Sequence, residues 1–436
     1  MTKRIRQREK DTVVQALNAG VVPRLGLQHI QVGRAGEVGA MIKDVERIAD
    51  GGASFRAIIG EYGSGKTFFL NLVRLVALEK GLVVAFADLA PDRRLHATGG
   101  QARALYAELM RNLSTRTKPD GGALPSMVER FVSQAVQDAA DEGIAIDRYI
   151  RKRLAPLQEL VSGYDFADVI TAYWRGLEEG DDTLRTSALR WLRGEFGTKT
   201  EARQALGVRS IIDDADVYDY LKLMARFSVE AGYGGLLVTI DEMVNLYKLQ
   251  SSQARKSNYE QILRMLNDVV QVGDGRLGIL LGGTPEFLMD TRRGLYSYEA
   301  LQGRLAENRF AVDGLIDLTG PVIRLPALAP EELYVLLVNI RSVFALGEPA
   351  DHLVPDEALS AFMQHCEGKI GEAYFRTPRS TVKAFVNFLS VLEQNPQAQW
   401  TDLIDKVAVE DEIGRIHQEA SGEGEDTDDE LTSLRL

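Results

Sequence analysis

Cysteine is almost missing from this sequence. Cys366 is the only one among 436 residues, so an intrachain disulfide is impossible, and a cytoplasmic location is the simplest expectation. His365 stands beside it, but the five histidines are scattered and none has partners at metal-ligand spacing. We therefore interpret His365 and Cys366 as packing or surface residues.

Long apolar runs are missing as well. No stretch of about 18 apolar residues occurs, so neither a transmembrane helix nor a membrane partner is expected. The N-terminal MTKRIRQREKD has no apolar segment behind its positive charges, and we do not expect a secretory signal. Hydrophobic residues make up 45% and charged residues 26%, which is typical of a soluble globular protein with two or three domains.

Basic residues are fewer than acidic residues, so the formal net charge is −12. From residue 419 onward, seven acidic residues against the single Arg435 leave a charge of −6, half of the excess. This composition predicts a solvated, disordered acidic tail over residues 416–436. Any contact with nucleic acid would therefore depend on a local basic patch.

Five short apolar runs are present, and each has the length of a β-strand. They are continuous rather than alternating, which is typical of strands buried on both faces of a parallel sheet. Helical patterns separate them, so the sequence predicts an α/β fold with flanking helices. The runs cover residues 55–60, 82–88, 235–241, 277–283 and 322–328.

Residues 60–67, GEYGSGKT, match the phosphate-binding pattern G-x-x-x-x-G-K-[ST], the Walker A motif. An apolar run precedes the motif and the helical pattern TFFLNLVRLVALEK follows it, which is the required context. Glycines let successive N–H groups point at phosphates, and a helix N-terminus adds a favourable dipole. We expect Lys66 to bridge the β- and γ-phosphates of ATP and Thr67 to ligate Mg²⁺. The predicted nucleotide contacts are Gly60, Gly63, Ser64, Gly65, Lys66, Thr67 and Phe68.

The third run, GGLLVTIDE, predicts the Walker B motif at the carboxyl end of a strand. There Asp241 would hold Mg²⁺ through water, and Glu242 would polarise the attacking water. A GTPase is disfavoured because no N-K-x-D motif occurs, and the adjacent glutamate favours water over the acceptor of a small-molecule kinase. The fourth run ends LLGGTPEF, which would place Thr284 beside the γ-phosphate, with a simple turn or N-cap role as the alternative.

These motifs together resemble AAA+ ATPases, particularly the branch that contains the origin-recognition initiators. The resemblance spans about residues 32–392, apart from an insertion. VGRAGEV is similar to the segment that lines the adenine pocket, which implies contacts from Gly33 and Arg34. Thr284 matches the sensor-1 position.

The resemblance also implies two arginines with catalytic or sensing roles. Arg304, in SYEALQGRLAENRF, resembles the arginine finger that reaches the γ-phosphate of a neighbouring subunit, although Arg292 and Arg293 compete for that role. Arg379, in TPRSTVKAFVNFL, resembles the sensor-2 arginine of a helical lid. A finger that acts in trans implies a homo-oligomer, as a ring or an arc, that shares its nucleotide sites.

Five phrases carry a narrower resemblance: GLQHIQVGR, IGEYGSGKTFFL, AGYGGLLVTIDE, GGTPEFLMDTRRGLYSYEALQGRLAE and FRTPRSTVKAFVNFL. Together they resemble the ATP-binding proteins of bacterial BREX anti-phage systems, of the BrxD type. This resemblance implies membership of a defence locus and helicase-like or DNA-modifying partners. Initiators carry a winged helix after the lid, but only about 45 residues follow residue 392 here.

The expected organisation follows from these patterns. It consists of an N-terminal arm over 1–31, an AAA+-like core over 32–328 with a helical insertion at 95–210, a helical lid over 329–415 and the acidic tail. The insertion is foreign to simple AAA+ modules.

DNA contact is predicted in the segment KLQSSQARKSNYEQ, where Lys248, Arg255 and Lys256 could follow a phosphate backbone. A solvated loop is the alternative, and the basic N-terminal tip, residues 3–10, is a second candidate. The expected function is an ATPase, slow or stimulated by DNA or a partner, in phage defence. An ATP-dependent switch or scaffold that recruits proteins with little turnover is the alternative.

Overall fold

The computed structural model describes residues 4–271, 275–310 and 316–409, so the predicted acidic tail lies outside the described residues. The predicted α/β class with a parallel sheet flanked by helices is confirmed. The last strand ends at Leu325, three residues before the predicted end at residue 328, because Pro326 follows and proline cannot donate to a β-ladder. The strands are β1 (Ser54–Gly60), β2 (Val83–Asp88), β3 (Leu236–Asp241), β4 (Leu277–Gly283) and β5 (Val322–Leu325).

Helices account for most of the remaining described chain. In chain order they are α1 (Gln7–Asn18), α2 (Leu27–Ile30), α3 (Ala35–Ala49), α4 (Lys66–Glu79), α5 (Gln101–Arg111), α6 (Leu124–Glu142), α7 (Ile146–Arg153), α8 (Gly163–Glu179), α9 (Asp182–Leu192), α10 (Lys199–Leu206), α11 (Val217–Glu230), α12 (Val244–Tyr247), α13 (Ser252–Gln271), α14 (Pro285–Met289), α15 (Glu299–Leu305), α16 (Pro330–Phe344), α17 (Asp356–Ile370), α18 (Ala373–Arg376), α19 (Pro378–Gln394) and α20 (Trp400–Ile404). Short 3-10 turns occur at Ala155–Glu159, Leu295–Ser297 and Pro349–Asp351.

The strands lie in the order β2-β3-β4-β1-β5, and all adjacent pairs are parallel. The connection from β1 runs toward β2, whereas the connection from β4 runs the other way, toward β5. Because parallel crossovers are right-handed, connections in opposite directions leave the sheet on opposite faces. The carboxyl ends of β1 and β4 therefore flank a topological switch point, where open α/β sheets bind ligands.

The two faces of the sheet pack against different helices. Side chains alternate between faces along each strand, so Ile58 and Leu280 pack with α3 and with α4 from Phe69 onward. Ala57 and Ile279 belong to the larger core on the other face, which α5, α6, α11 and α13 complete. The outer edge of β2 is covered by the segment after α5: Ser114 and Val84 exchange backbone hydrogen bonds of 2.7 and 3.0 Å.

The long connection from β2 to β3 is helical, from α5 to α11. Three of its helices, α6, α8 and α10, are followed by glycines with positive φ (Gly143, Gly180 and Gly207), which is the common way to end a helix. Trp191 and Phe166 are buried in its core, and the Trp191 indole N–H donates to the Ser210 carbonyl at 2.8 Å.

The chain divides into two compact units. The first consists of the described parts of Met1–Gly33, Glu61–Phe68 and Pro326–Leu436, and the second of those of Arg34–Gly60 and Phe69–Leu325. In the first unit, α1 packs on α19 and α16, and Val13 joins Leu337 and Phe385 in one buried core. The predicted domain boundaries stay predictions.

Candidate functional site

The predicted phosphate-binding loop, residues 60–67 and hereafter the phosphate loop, curls through two glycines in the left-handed region. Gly63 has φ +80° and Gly65 has φ +83°, which only glycine adopts without strain. Between them, the Ser64 amide donates to the Glu61 carbonyl at 3.1 Å. The Lys66 ammonium donates to the same carbonyl at 2.8 Å, so the lysine bends back over the loop. The turn ends where α4 begins, at Lys66.

The loop also lies against the start of α19, within the first unit. A β carbon on Gly63 would stand 2.8 Å from Cγ2 of Thr377 and 3.2 Å from its Cα. Thr377 is the N-cap residue of α19, and Arg379 follows in the first turn of that helix. The structure therefore brings the phosphate loop and the predicted sensor-2 helix together, and Arg379 itself is exposed.

Asp241 is held tightly at the end of β3. Only 3% of the residue is exposed, and its Oδ1 accepts a 2.8 Å hydrogen bond from the Glu242 amide. The carboxylate lies directly over Gly282 of β4, where a β carbon would stand 2.2 Å from Oδ1. Gly282 is therefore required by the position of the carboxylate rather than by its own backbone conformation.

Glu242 follows in a conformation that is rare for its residue type. Its φ is +58°, in the left-handed region, and its side chain is exposed. A non-glycine residue with positive φ is strained by about 1–3 kcal/mol, and such residues cluster at active sites. The strained turn directs the chain away from β3, and the next amide, that of Met243, donates to the Gly282 carbonyl at 3.0 Å.

A third carboxylate, which the sequence reasoning missed, lies beside these two. Asp88 ends β2 in register with Asp241, and the strand period puts both side chains on the same face of the sheet. Desolvation raises the pKa of Asp88 to about 6, and repulsion from Asp241 and then Glu242 adds to the shift. The sequence signal was available, because VVAFAD is an apolar run that ends in an acid.

Thr284 occupies the N-cap position of α14. Its hydroxyl accepts from the Phe287 amide at 3.4 Å, which is the N-cap role that the sequence offered as the alternative. A hydroxyl that accepts one hydrogen bond retains its own O–H for donation. The role of Thr284 beside a γ-phosphate therefore stays a prediction.

The three candidate finger arginines differ in the contacts that they make within the chain. Arg304 is exposed on α15, with Nε donating to the Asn267 side chain at 2.8 Å and Nη1 to the Ala300 carbonyl at 2.9 Å. Arg293 donates to the carbonyls of Tyr247 and Leu249 at 3.2 and 3.3 Å. Its guanidinium also lies 5.4 Å from the ring centroid of Tyr247. Arg292 is exposed.

Arg292 and Arg293 belong to a cluster that joins the segments after β3 and β4. The Tyr247 hydroxyl donates to Asp290 at 2.8 Å, and the other oxygen of Asp290 accepts the amides of Arg292 and Arg293. These amides and the tyrosine hydroxyl hold the pKa of Asp290 below its ordinary value. The segments that follow Glu242 and Thr284 are thus fixed to each other, and Arg293 serves that junction.

The predicted DNA segment, residues 248–261, forms the turn before α13 and the first half of that helix. Arg255 donates through Nη1 to the carbonyls of Leu249 and Gln250, so part of its guanidinium stabilises the turn. Lys248 and Lys256 are exposed. In the predicted N-terminal tip, Lys10 is engaged internally, with Nζ 2.7 Å from the Phe344 carbonyl and 2.5 Å from Glu393.

The loop after β2, which the sequence reasoning passed over, lies beside α13. The buried Asn258 exchanges hydrogen bonds of 2.9 and 3.0 Å with the backbone of His96. Arg93 and Arg94 stand just before His96 in the same loop. Both are half-buried, and the Arg93 guanidinium lies 3.6 Å from the Glu108 carboxylate and 3.8 Å from that of Asp92, so its charge is partly paired within the chain.

Gly33 and Arg34, the predicted adenine-pocket residues, both have left-handed backbones, with φ +63° and +60°. In the first unit, a β carbon on Gly33 would stand 2.2 Å from Oε1 of Glu332, which caps the start of α16. In the second unit, Arg34 is the N-cap residue of α3. Contact with a base stays a prediction for both.

Within the described residues, no helix is long and apolar enough to cross a membrane. Nor do they contain a group of three or more histidine, cysteine or acidic side chains arranged to hold a metal. A Mg²⁺ ion bound with a nucleotide takes one or two protein ligands besides phosphates and waters, so the hydroxyl and carboxylate oxygens of Thr67 and Asp241 fit it chemically.

Comparison with known proteins gives two findings. No curated protein matches the chain. A protein-family model described as BREX system ATP-binding protein BrxC/D matches residues 5–408, a span that contains the phosphate loop, all five strands and α19. The chain therefore belongs to the family of BREX system ATP-binding proteins BrxC/D.

Proposed function

We propose that this protein binds and hydrolyses ATP as an AAA+ ATPase and acts on or with DNA in bacterial anti-phage defence. The observation that carries the proposal is the geometry at the end of β3. Asp241 is fixed by Gly282 and by a backbone amide, and the exposed Glu242 follows it in a strained turn. Membership of an ATP-binding family in a defence system supports the same conclusion.

In the proposed reaction, the amides of residues 60–67 and the Lys66 ammonium hold the phosphates. Thr67 and Asp241 would hold Mg²⁺, which neutralises phosphate charge when it is bound. Glu242 accepts a proton from water as the water oxygen bonds to the γ-phosphorus, and the bond from that phosphorus to the ADP oxygen breaks. Thr284 would donate to the γ-phosphate through the O–H that its capping bond leaves available.

Two arginines complete the proposed site. Arg379, in the first turn of the helix that touches the phosphate loop, would contact the nucleotide from the same chain. Arg304 would reach the nucleotide of a neighbouring copy, because it is exposed and its present partners are a neutral amide and a carbonyl. Hydrolysis would then depend on assembly into a ring or an arc.

DNA would bind through the segments after β2 and β3, with Lys248, Arg255 and Lys256 as the predicted contacts and Arg94 of the loop after β2 as a further one. Both segments are polar and lie at the carboxyl end of the sheet. Contacts with DNA phosphates carry no sequence preference by themselves. Helicase-like or DNA-modifying proteins of the defence system are the proposed protein partners.

A switch with little turnover is the second candidate. It is favoured by the contacts of Arg304, whose Nε and Nη1 both have partners on the same chain. A finger that keeps these partners would stabilise no transition state in a neighbour. ATP binding would then hold an assembly together while hydrolysis stayed slow.

Steady-state ATP hydrolysis, titrated with single- and double-stranded DNA, separates these functions. Lys66→Ala serves as the blank, and nucleotide binding is measured in parallel. We expect ATP binding and hydrolysis that one form of DNA stimulates. Tight binding with slow turnover that no DNA changes would favour the switch, and phosphate transferred to an acceptor instead of released would contradict both.

A further inference from the structure

The N-terminal segment is built into the first unit of the molecule. Ile5 and Val13 are buried in its core, and the Ile5 amide donates to the Leu346 carbonyl at 3.2 Å. Lys10 ties α1 to α16 and α19 through the Phe344 carbonyl and the Glu393 carboxylate. These contacts fix the path of the chain up to the end of α1.

The chain leaves α1 through a tight turn at Gly20. The Gly20 amide donates to the Leu17 carbonyl at 3.0 Å, and the Val21 amide donates to that of Ala16 at 2.9 Å. Gly20 has φ +68°, as expected for the glycine that ends a helix. The position of this turn is therefore set by a helix that is itself anchored in the core.

The Gly20 turn lies directly against the guanidinium of Arg379. A β carbon at Gly20 would stand 2.9 Å from Nε and 3.3 Å from Nη2 of Arg379. The phosphate loop touches the same stretch of chain, because Gly63 lies against Thr377, two residues earlier. Two glycine turns that are distant in sequence therefore contact the start of α19.

We propose that the Gly20 turn is a positioning element for Arg379, so that the N-terminal segment sets where this arginine meets the nucleotide. This inference rests on the proposed function, in which Arg379 contacts ATP. A long arginine side chain loses rotamer freedom when it binds a ligand, and a surface that restricts it beforehand reduces that loss. Only glycine leaves room for the guanidinium at this point of the turn.

The proposal is tested by a substitution that fills the space between Gly20 and the Arg379 guanidinium. In Gly20→Ala, the new methyl group meets the far end of a flexible side chain, so the guanidinium shifts while the fold is kept. Gly143→Ala is the matched control, because Gly143 also follows a helix, has φ +66° and has no atom within 4 Å of an added β carbon. Both variants carry the same backbone strain, and only one displaces Arg379.

Equilibrium ATP binding is measured for both variants, for Arg379→Ala and for the Gly20→Ala/Arg379→Ala double variant. We expect Gly20→Ala to weaken ATP binding about tenfold, the size of one charge-assisted hydrogen bond, and Gly143→Ala to bind as the unaltered protein does. Once Arg379 is removed, Gly20→Ala should have no further effect.

The outcomes distinguish this inference from the proposed function. If Arg379→Ala weakens binding but Gly20→Ala does not, or if the two effects add in the double variant, the positioning role is wrong. If Arg379→Ala binds ATP normally, the proposed role of Arg379 fails and the inference with it. Should Gly20→Ala not fold, Gly20→Asn and Gly143→Asn repeat the test, because asparagine tolerates the left-handed conformation.

Discussion

Alanine at Gly282 should disable hydrolysis by moving a single carboxylate. The added β carbon would stand 2.2 Å from Oδ1 of Asp241, and such contacts are essentially never shorter than 3.0 Å, so the two atoms must separate by at least 0.8 Å. Leu70 Cδ1, at 3.0 Å, blocks part of the space into which the methyl group could relax. The carboxylate would also strain its hydrogen bond to the Glu242 amide.

A misplacement of about 1 Å at a catalytic site costs roughly 100-fold in rate, and overpacking a core costs about 1–3 kcal/mol of stability. We therefore expect Gly282→Ala to stay folded and to lose about two orders of magnitude in kcat, measured by phosphate release over a Mg²⁺ titration. Gly39→Ala in α3, where an added β carbon meets nothing within 4 Å, controls for substitution of glycine. Gly282→Ala with an unchanged kcat would refute the role assigned to Asp241.

Further predictions concern the second unit and the core of the first. Asp44→Asn should lower the free energy of unfolding by about 3–5 kcal/mol in denaturant titrations, because it removes the carboxylate whose Oδ2 lies 2.5 Å from Nε of the buried Arg56. The control Asp50→Asn, at an exposed position, should lower it far less. The pKa of Asp88 is raised from 3.8 to about 6, so the folded state binds more protons than the unfolded state between these values, and stability should fall as pH rises through that window. Asp88→Asn should remove this fall in stability. If the variant showed an unchanged dependence of stability on pH, the pKa of Asp88 would not be raised. Burial raises the pKa of Cys366 to about 12, so the thiol should resist alkylation near neutral pH until the protein is denatured; rapid labelling of the native protein would be inconsistent with its place in the core.

The strands and the phosphate loop could be predicted because their determinants are local. A strand forms at each apolar run, with ends at most three residues from the predicted ones, and GEYGSGKT requires the turn that Gly63 and Gly65 form. The N-cap role of Thr284 was equally readable, because threonine followed by proline is a helix-start signal. In these cases the residues that decide the structure are neighbours in sequence.

The remaining features depend on pairs that are distant in sequence. Arg56 lies in an apolar strand, and its neighbours in sequence do not indicate that Asp44 neutralises its charge. Gly282 looks like an ordinary glycine until the Asp241 carboxylate is placed against it from the neighbouring strand. Arg293 resembled a candidate finger, but its partners are backbone carbonyls of the segment after β3, which no side-chain pattern encodes.

Measuring both ATP binding and ATP hydrolysis of the Glu242→Gln variant tests the central claim most directly. The substitution keeps the size of the side chain and the strained turn but removes the group that accepts the proton from water. We predict that the variant binds ATP as tightly as the unaltered protein and releases phosphate at least about 100-fold more slowly. Phosphate release at the unaltered rate would contradict the proposed mechanism.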